Sequence, residues 1–330
     1  MKRRNRTYPI VIAFLFFLPF AGQAQDDLFD MLEEVEPAKQ EKVTATFKTT
    51  RVINAHSIET VKGKTMDVRI SHRFGNIYST RNDVDGPDSF FGFDNVADVR
   101  LAVEYGITDD VMIGLGRSQM NNLVDGFVKW RFYTQTTDNK RPLSLAFVGN
   151  MVINPSKKAA FYSGVNDNTV QTFGSAKKFF HRLGYTAQLI IARKFSPGVS
   201  LELIPTYVHR NFVKDPSDEN SIFALGIAGR FKVSKRVAII SDFFYVFSPY
   251  RYNQKGPVDF HMPISIGVEI ETGGHVFHID VSNARGIIAN NFLIESPDSW
   301  EYAEIKLGFN ISRVFNVGNR IKKAKEVTEG

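Results

Sequence analysis

The sequence predicts an all-β fold, an antiparallel up-and-down transmembrane β-barrel of about 12 to 14 strands with short periplasmic turns and long outer loops. Three observations lead to it. Apolar residues recur at every second position in many segments, short and long connections alternate, and an export signal is followed by no apolar run long enough for a transmembrane helix. The 330 residues contain no cysteine, which excludes disulfides, thiolate catalysis and lipid attachment to cysteine.

The strands are predicted from period-two alternation, which puts alternate side chains on opposite faces. In 260–271, for example, Ile266 and Val268 share one face while Gly267 and Glu269 share the other. Val268 is therefore expected to face lipid and Glu269 the lumen. The predicted strands are 52–60, 64–74, 97–106, 109–117, 124–134, 142–153, 181–194, 198–210, 221–232, 235–247, 260–271, 274–283 and 301–315.

The connections between these strands alternate in length. The short ones are 61–63, 107–108, 135–141, 195–197, 233–234 and 272–273. The long ones are 75–96, 154–180, 211–220, 248–259 and 284–300, with 118–123 as a short member of that set. Tight turns at one end and long loops at the other are typical of an outer-membrane barrel, so 154–180 is expected to be an exposed outer loop.

The first 24 residues predict a cleaved secretory signal. Four basic residues precede the apolar run 10–20, and small residues occupy 21–24. Removing the signal leaves 37 Lys and Arg against 35 Asp and Glu, so no basic surface remains to support nucleic-acid binding. The predicted organisation is a signal peptide at 1–24, a periplasmic or lumenal segment at 25–51, a barrel at 52–315 and a basic periplasmic tail at 316–330.

A soluble secreted β-sandwich or a lipocalin-like barrel is the alternative fold, because its strands alternate as well. Aromatic residues favour the membrane barrel, since they gather near segment ends as interfacial girdles do. The aromatic residues concerned are Trp130, Phe132, Tyr133, Phe179, Phe180, Tyr207, Phe212 and those between Phe243 and Tyr252.

Strand parity raises a question about the segment 52–60. Thirteen strands would start the first strand on the outside, although the chain arrives from the periplasm. Either residues near 43–50 add a fourteenth strand, or the segment 25–51 climbs through the lumen as a plug, or 52–60 is itself lumenal and twelve strands remain. The polar composition of 48–59 favours the lumenal segment.

Five segments carry a resemblance to a known family. They are TFKTTRVIN at 46–54, RISHRFG at 69–75, EYGIT at 104–108, ETGGHVF at 271–277 and GFNISRVF at 308–315. The chain resembles the uncharacterised outer-membrane barrels grouped as domain of unknown function 5777 over residues 42–316. The resemblance implies a barrel of Gram-negative outer membranes and supplies no catalytic residue or ligand. Phe315 looks like the terminal aromatic of such barrels, although 15 residues follow it.

Charged residues on the inward face are balanced. The register predicts nine basic residues against nine acidic ones: Arg69, Arg73, Arg100, Lys129, Arg131, Arg182, Arg210, Arg230 and Lys306 against Asp67, Asp98, Glu104, Glu202, Asp242, Glu269, Glu271, Asp280 and Glu304. Such charges can pair across a narrow barrel and fill it, or line a narrow polar conduit for small solutes.

Catalytic and metal sites have weak candidates. His278, Asp280 and Ser282 share one strand face, but a triad needs the histidine in the middle. Ser71 and His72 face opposite sides of a strand, and so do His275 and His278. A calcium loop at Asp83, Asp85 and Asp88 lacks the glycine position and the distal glutamate of an EF-hand.

The predicted function is therefore a narrow channel or transport component in the outer membrane of a Gram-negative bacterium. A structural or partner-docking barrel without conductance is the alternative, and an outer-membrane lipid hydrolase is a weaker one. No cofactor is expected. The expected partners are outer-membrane lipid and lipopolysaccharide, the outer-membrane assembly machinery and a small polar solute.

Overall fold

The computed structural model describes residues 41–81, 86–155, 179–213, 215, 217–252 and 259–318. Twelve antiparallel strands form a closed barrel, in which each strand pairs with its neighbours in sequence and β12 pairs with β1. The strands are β1 Thr65–Asn76, β2 Val96–Gly106, β3 Val111–Ser118, β4 Val124–Tyr133, β5 Ser144–Ile153, β6 Leu183–Ser196, β7 Val199–Arg210, β8 Ser221–Lys232, β9 Val237–Phe247, β10 Ile264–Thr272, β11 His275–Ser282 and β12 Lys306–Asn316.

The closing seam joins the first strand to the last. Ile70 lies opposite Ile311, and the pairing continues from Met66 opposite Phe315 to Arg73 opposite Gly308. Closure satisfies the backbone hydrogen bonds of both edge strands, which a barrel in hydrocarbon requires. The predicted up-and-down barrel is confirmed.

In the part of the chain that the structure describes, helical structure is confined to single turns. Two 3-10 turns lie at Met120–Asn122 and Phe179–Arg182, and two α-helical turns, α1 and α2, lie at Pro249–Tyr252 and Ala289–Phe292. Among the described residues, no helix is long and apolar enough to cross a membrane.

The two ends of the barrel differ. The end with the short connections, called the turn end, carries 107–110, 134–143, 197–198, 233–236 and 273–274. The opposite end, called the loop end, carries 77–95, 119–123, 154–182, 211–220, 248–263 and 283–305. Residues 1–40, 82–85, 156–178, 214, 216, 253–258 and 319–330 lie outside the described residues. With them lie the predicted signal peptide, the first part of the predicted segment 25–51, Asp83, Asp85, most of the loop 154–180 and most of the C-terminal tail.

The wall exposes apolar side chains on its outer face. Leu101, Leu115, Val128, Phe147 and Phe223 are at least 45% exposed, while the alternate residues of the same strands are buried inside. An outer face of this composition matches the hydrocarbon of a bilayer.

Of the alternatives for the segment 52–60, the barrel strand is wrong, and the lumenal segment with twelve strands in the wall is confirmed. Residues 46–61 instead form a hairpin inside the barrel, called the lumenal hairpin, and the wall begins at Thr65. Val52 N–H donates to the Ala55 carbonyl at 2.9 Å, so residues 53–54 form the tip. Several amides of this segment bond to carboxylates of the wall rather than to a neighbouring strand, which is why its alternation does not produce a barrel strand.

Two predicted strands start later than expected. Residues 260–263 precede β10, where Pro263 has no N–H to offer a neighbouring strand. Residues 301–305 precede β12 and include a turn in which Ala303 has a φ of 57°. The other ten predicted strands each coincide with an observed strand to within a few residues.

Candidate functional site

Both ends of the lumenal hairpin lie at the turn end of the barrel. Just before the hairpin, Val43 N–H donates to the Gln135 carbonyl at 2.8 Å. On the outgoing leg, the Thr60 hydroxyl donates to the Asp109 carbonyl at 2.6 Å. The hairpin therefore enters and leaves by one mouth and does not thread the barrel.

Lys129 of β4 joins the two legs. Its buried ammonium donates to the carbonyls of Thr50 and Ser57, each at 2.9 Å, and to the carbonyl of Glu59 at 3.0 Å. These bonds use all three donors of the lysine on main-chain oxygens of the hairpin. Losing the ammonium would leave three carbonyls without this partner.

Two carboxylates of the wall hold hairpin amides. Asp242 Oδ2 accepts from Asn54 N–H at 2.6 Å and from Ala55 N–H at 2.9 Å. Glu202 Oε2 accepts from Ile58 N–H at 3.2 Å. Three wall side chains therefore bind six main-chain groups of the hairpin.

Side chains of the hairpin also bond to the polar part of the wall. Glu104 accepts from the Thr50 hydroxyl at 2.5 Å and lies 4.0 Å from Arg51 Nε. Arg69 donates to the same hydroxyl at 3.1 Å. All four residues are buried, so the hairpin carries part of the ion-pair network of the lumen.

The connection 283–305, called the capping loop, folds into the loop end of the barrel. Phe292 of α2 packs against Phe244 with ring centroids 5.0 Å apart. Asn290 accepts from the Thr186 hydroxyl at 2.7 Å. The loop thereby covers the hairpin on the side opposite the mouth.

Asp298 anchors the capping loop to the wall. It accepts from Arg285 at 2.5 and 2.9 Å and from Lys306 of β12 at 2.7 Å. Burial by itself raises the pKa of Asp298, but the hydrogen bonds and charges of Arg285 and Lys306 outweigh burial and lower its pKa to about 2.

The hairpin and the capping loop meet at a small polar cavity. Its volume is about 10 Å³, room for about one water molecule. It is lined by Arg51, Asn54, His56, Asn150, Thr186, Gln188, Ile288, Ala289 and Asn290. The two layers therefore contact each other closely at this junction.

The inner wall has an apolar half and a charged half. Strands β5–β9 bury 14 apolar residues, among them Ile190, Ile204 and Phe244, and two charged ones. Strands β10–β12 and β1–β4 bury three apolar residues and eleven charged ones. The buried apolar residues of the hairpin belong to one cluster with the apolar half. The lumen is therefore lined by apolar side chains on one side and by charged side chains on the other.

The residues predicted to line the lumen are placed as follows. Arg69, Arg73, Arg100, Glu104, Lys129, Glu202, Glu269, Asp280, Glu304 and Lys306 are buried, as are Asp67, Asp98 and Asp242. Arg131, Arg210 and Arg230 retain 13–18% side-chain exposure, and Arg182 lies in a 3-10 turn at the loop end. Glu271 is 39% exposed and pairs with Lys48 at the turn end.

The ion pairs between two wall residues run along the wall instead of across the lumen. Arg100 of β2 lies 2.7 Å from Asp125 of β4, and Arg230 of β8 lies 2.8 Å from Glu269 of β10. Each pair joins strands two apart in the barrel. The hairpin and the capping loop lie between opposite sides of the wall, so backbone fills much of the lumen.

The sequence reasoning missed several residues of the network. Asp125 is in phase with Lys129 on β4, so strand parity was a signal for it. Asp298 and Arg251, which lies 2.9 Å from Asp218, are outside the strands and gave no parity signal.

The catalytic candidates do not assemble into a triad. Asp280 binds Arg73 at 3.2 Å, Ser282 binds Ser265 at 2.9 Å, and His278 lies 3.3 Å from Glu269. Within the described residues, no group of three or more His, Asp or Glu side chains is arranged to hold a metal ion.

The closed barrel, its apolar outer face and its charged, filled lumen define a membrane-embedded β-barrel. A family profile described as a membrane bound beta barrel domain, DUF5777, matches residues 47–315. The chain belongs to this family. No curated protein matches the sequence.

Solved structures that align with most of this chain include two porins and an outer membrane channel. The NanC porin has 8% identity and a TM-score of 0.43, with 76% of this chain and 98% of that one covered. The KdgM porin has 8% identity and a TM-score of 0.42, with 76% and 99% covered. An outer membrane channel from Pseudomonas putida F1 has 10% identity and a TM-score of 0.41, with 78% and 98% covered.

Proposed function

We propose that this chain is a transport channel of a Gram-negative outer membrane, closed at rest by the lumenal hairpin and the capping loop, with the turn end in the periplasm. The supporting observation is that both legs of the hairpin leave by the turn end. Such a hairpin can withdraw into the periplasm without unthreading and without breaking a strand pairing of the wall.

The hydrogen bonds that hold the hairpin are compatible with withdrawal. Lys129, Asp242 and Glu202 bind main-chain groups, and water can take over each of these bonds when the hairpin leaves. The capping loop is the second layer and has to shift for a wide opening, because Phe292 and Leu293 are also buried in the lumen.

A reversible lock tests the proposal on the full chain. Asn54 Nδ2 donates to Ser265 Oγ at 2.8 Å, so the pair Asn54→Cys and Ser265→Cys places a disulfide between the hairpin tip and β10. The chain has no native cysteine to interfere. In a planar bilayer we expect openings of the reduced protein to vanish on oxidation and to return with dithiothreitol. Asn54→Cys alone is the matched control.

A non-conducting structural or docking barrel is the competing function, favoured by the extent to which backbone fills the lumen. A variant in which a short Gly-Ser linker replaces residues 47–60 separates the two. Steady conductance of the folded variant supports the gated channel. If the variant shows no conductance but keeps the heat-dependent gel shift of a closed barrel, the result would favour the structural barrel.

A further inference from the structure

The wall binds the hairpin through groups that every peptide carries. Lys129 donates to three carbonyls, Asp242 accepts from two amides and Glu202 accepts from one. None of these six bonds involves a hairpin side chain. A peptide of different sequence that folds into the same hairpin offers the same donors and acceptors.

The wall also selects by polarity. The apolar hairpin residues belong to one buried cluster made mostly of residues of the apolar half, β5–β9, together with Met112 and Phe127 of the other half. The hairpin members are Phe47, Val52, Ile53, Ala55, Ile58 and Val61. The charged half bonds to Thr50 and Arg51 through Glu104 and Arg69. A chain with one apolar side and one polar side matches both halves.

We infer that the lumen is a binding site for amphipathic peptide hairpins, recognised by their main chain and by having one apolar and one polar side, and that the lumenal hairpin is its resident occupant. Amphipathic peptides are then the solute class of the channel, a step that rests on the proposed function. The binding site itself does not depend on conductance.

An acyl amphiphile fits the site less well. It fills the apolar half, but it offers no N–H groups to Asp242 and Glu202 and no row of carbonyls to Lys129. Three buried charges would lose their partners, which is costly in a site of low dielectric.

Exchange of the resident hairpin tests the inference on a chain that folds intact. A specific protease recognition sequence inserted after Lys62, which is exposed at the turn end, allows cleavage between the hairpin and β1 after folding. The cut hairpin is no longer tethered to the wall, so an added peptide competes with it. Binding of fluorescein-labelled peptides is followed by anisotropy in detergent.

Three peptides and one fatty acid distinguish the outcomes. We expect the peptide of residues 44–63 to bind, and a peptide with the same order of polar and apolar positions but different side chains to bind within about tenfold of it, since the six main-chain bonds remain. A peptide of the same composition with its apolar residues clustered should fail. Binding of the native sequence alone overturns the inference, and so does displacement of the peptide by dodecanoate at equal concentration.

Wall variants in the cut protein identify the binding groups. Lys129→Met is expected to weaken the binding of the native peptide and of the patterned peptide at least about tenfold, because it removes three charged hydrogen bonds. Arg230→Met is the matched control, since it removes a lumenal cation whose partner is Glu269. Equal losses in both variants would contradict main-chain recognition. Peptide binding without conductance refutes the proposed function alone, and conductance without binding refutes this inference alone.

Discussion

Arg73 Nη1 of β1 donates a hydrogen bond of 3.0 Å to Asn54 Oδ1 at the tip of the lumenal hairpin. The same nitrogen donates to the carbonyls of Ala284 and Gly286 in the capping loop at 3.2 and 3.3 Å, and Nη2 donates to Asp280 at 3.2 Å. One guanidinium thus joins the wall to both layers that fill the lumen. Hairpin and capping loop are for this reason expected to loosen together.

These contacts of Arg73 predict a large effect of Arg73→Met on the stability of the barrel. The variant leaves Asp280 buried without its ion-pair partner and frees the hairpin tip from the capping loop. We expect a loss of about 3–5 kcal/mol in the free energy of unfolding, measured by refolding in urea, together with more frequent channel openings. Arg117→Met, on the exposed face of β3, should change neither. Unchanged stability would show that Arg73 does not couple the layers.

The register of β10 predicts opposite effects at neighbouring positions. Val268 is 38% exposed on the outer face, whereas Glu269 is buried and bonded to Arg230 at 2.8 Å. Val268→Arg should cost about 2–4 kcal/mol if the residue lies near the midplane of the bilayer. Glu269→Gln should act by unpairing Arg230. If the stability is unchanged by Val268→Arg but falls sharply with Glu269→Gln, the register of β10 is inverted.

The anchor of the capping loop predicts acid sensitivity. The pKa of Asp298 is about 2 in the folded protein, below the usual 3.8, because the bonds from Arg285 and Lys306 outweigh burial. A lowered pKa contributes stability above pH 4, and that contribution is lost as the pH falls towards 2. The difference corresponds to roughly 2 kcal/mol.

Hydrogen exchange of the capping loop measures this loss. Amides of 283–305 should gain exchange between pH 4 and 2 in the native protein, after correction for the intrinsic pH dependence of exchange. Asp298→Asn should show the loosened loop already at neutral pH and should lose the transition. A transition of the same size in that variant would assign the acid sensitivity to another group.

The proposed orientation predicts which ends are accessible from outside the cell. Ser217 lies in the connection between β7 and β8 at the loop end, and Gly274 lies in the turn between β10 and β11. A membrane-impermeant maleimide should label Ser217→Cys on intact cells and Gly274→Cys only after the outer membrane is broken. The absence of native cysteine makes the signal unambiguous. The reverse pattern would turn the topology upside down.

The sequence predicted which residues of the site face inward but not which groups they bind, because alternation specifies only the strand face of a residue. Parity assigned Arg100 and Lys129 to the inner face, because period two decides the face of any residue in a strand. It did not identify the partners, since Arg100 meets Asp125 two strands away and Lys129 meets three hairpin carbonyls.

The sequence by itself determined the class of fold and most of the wall. Alternation, the order of short and long connections and the strand count placed ten of the twelve strands closely and raised the lumenal course of 52–60. Tertiary structure alone decided that 46–61 is a hairpin bound by Lys129, Asp242 and Glu202, and that the lumen has an apolar half. The physical reason is that alternation is a local property of one strand. The hydrogen-bond partners of the hairpin backbone depend on strands that come together only when the barrel closes. The same holds for the half of the lumen to which an inward-facing residue belongs.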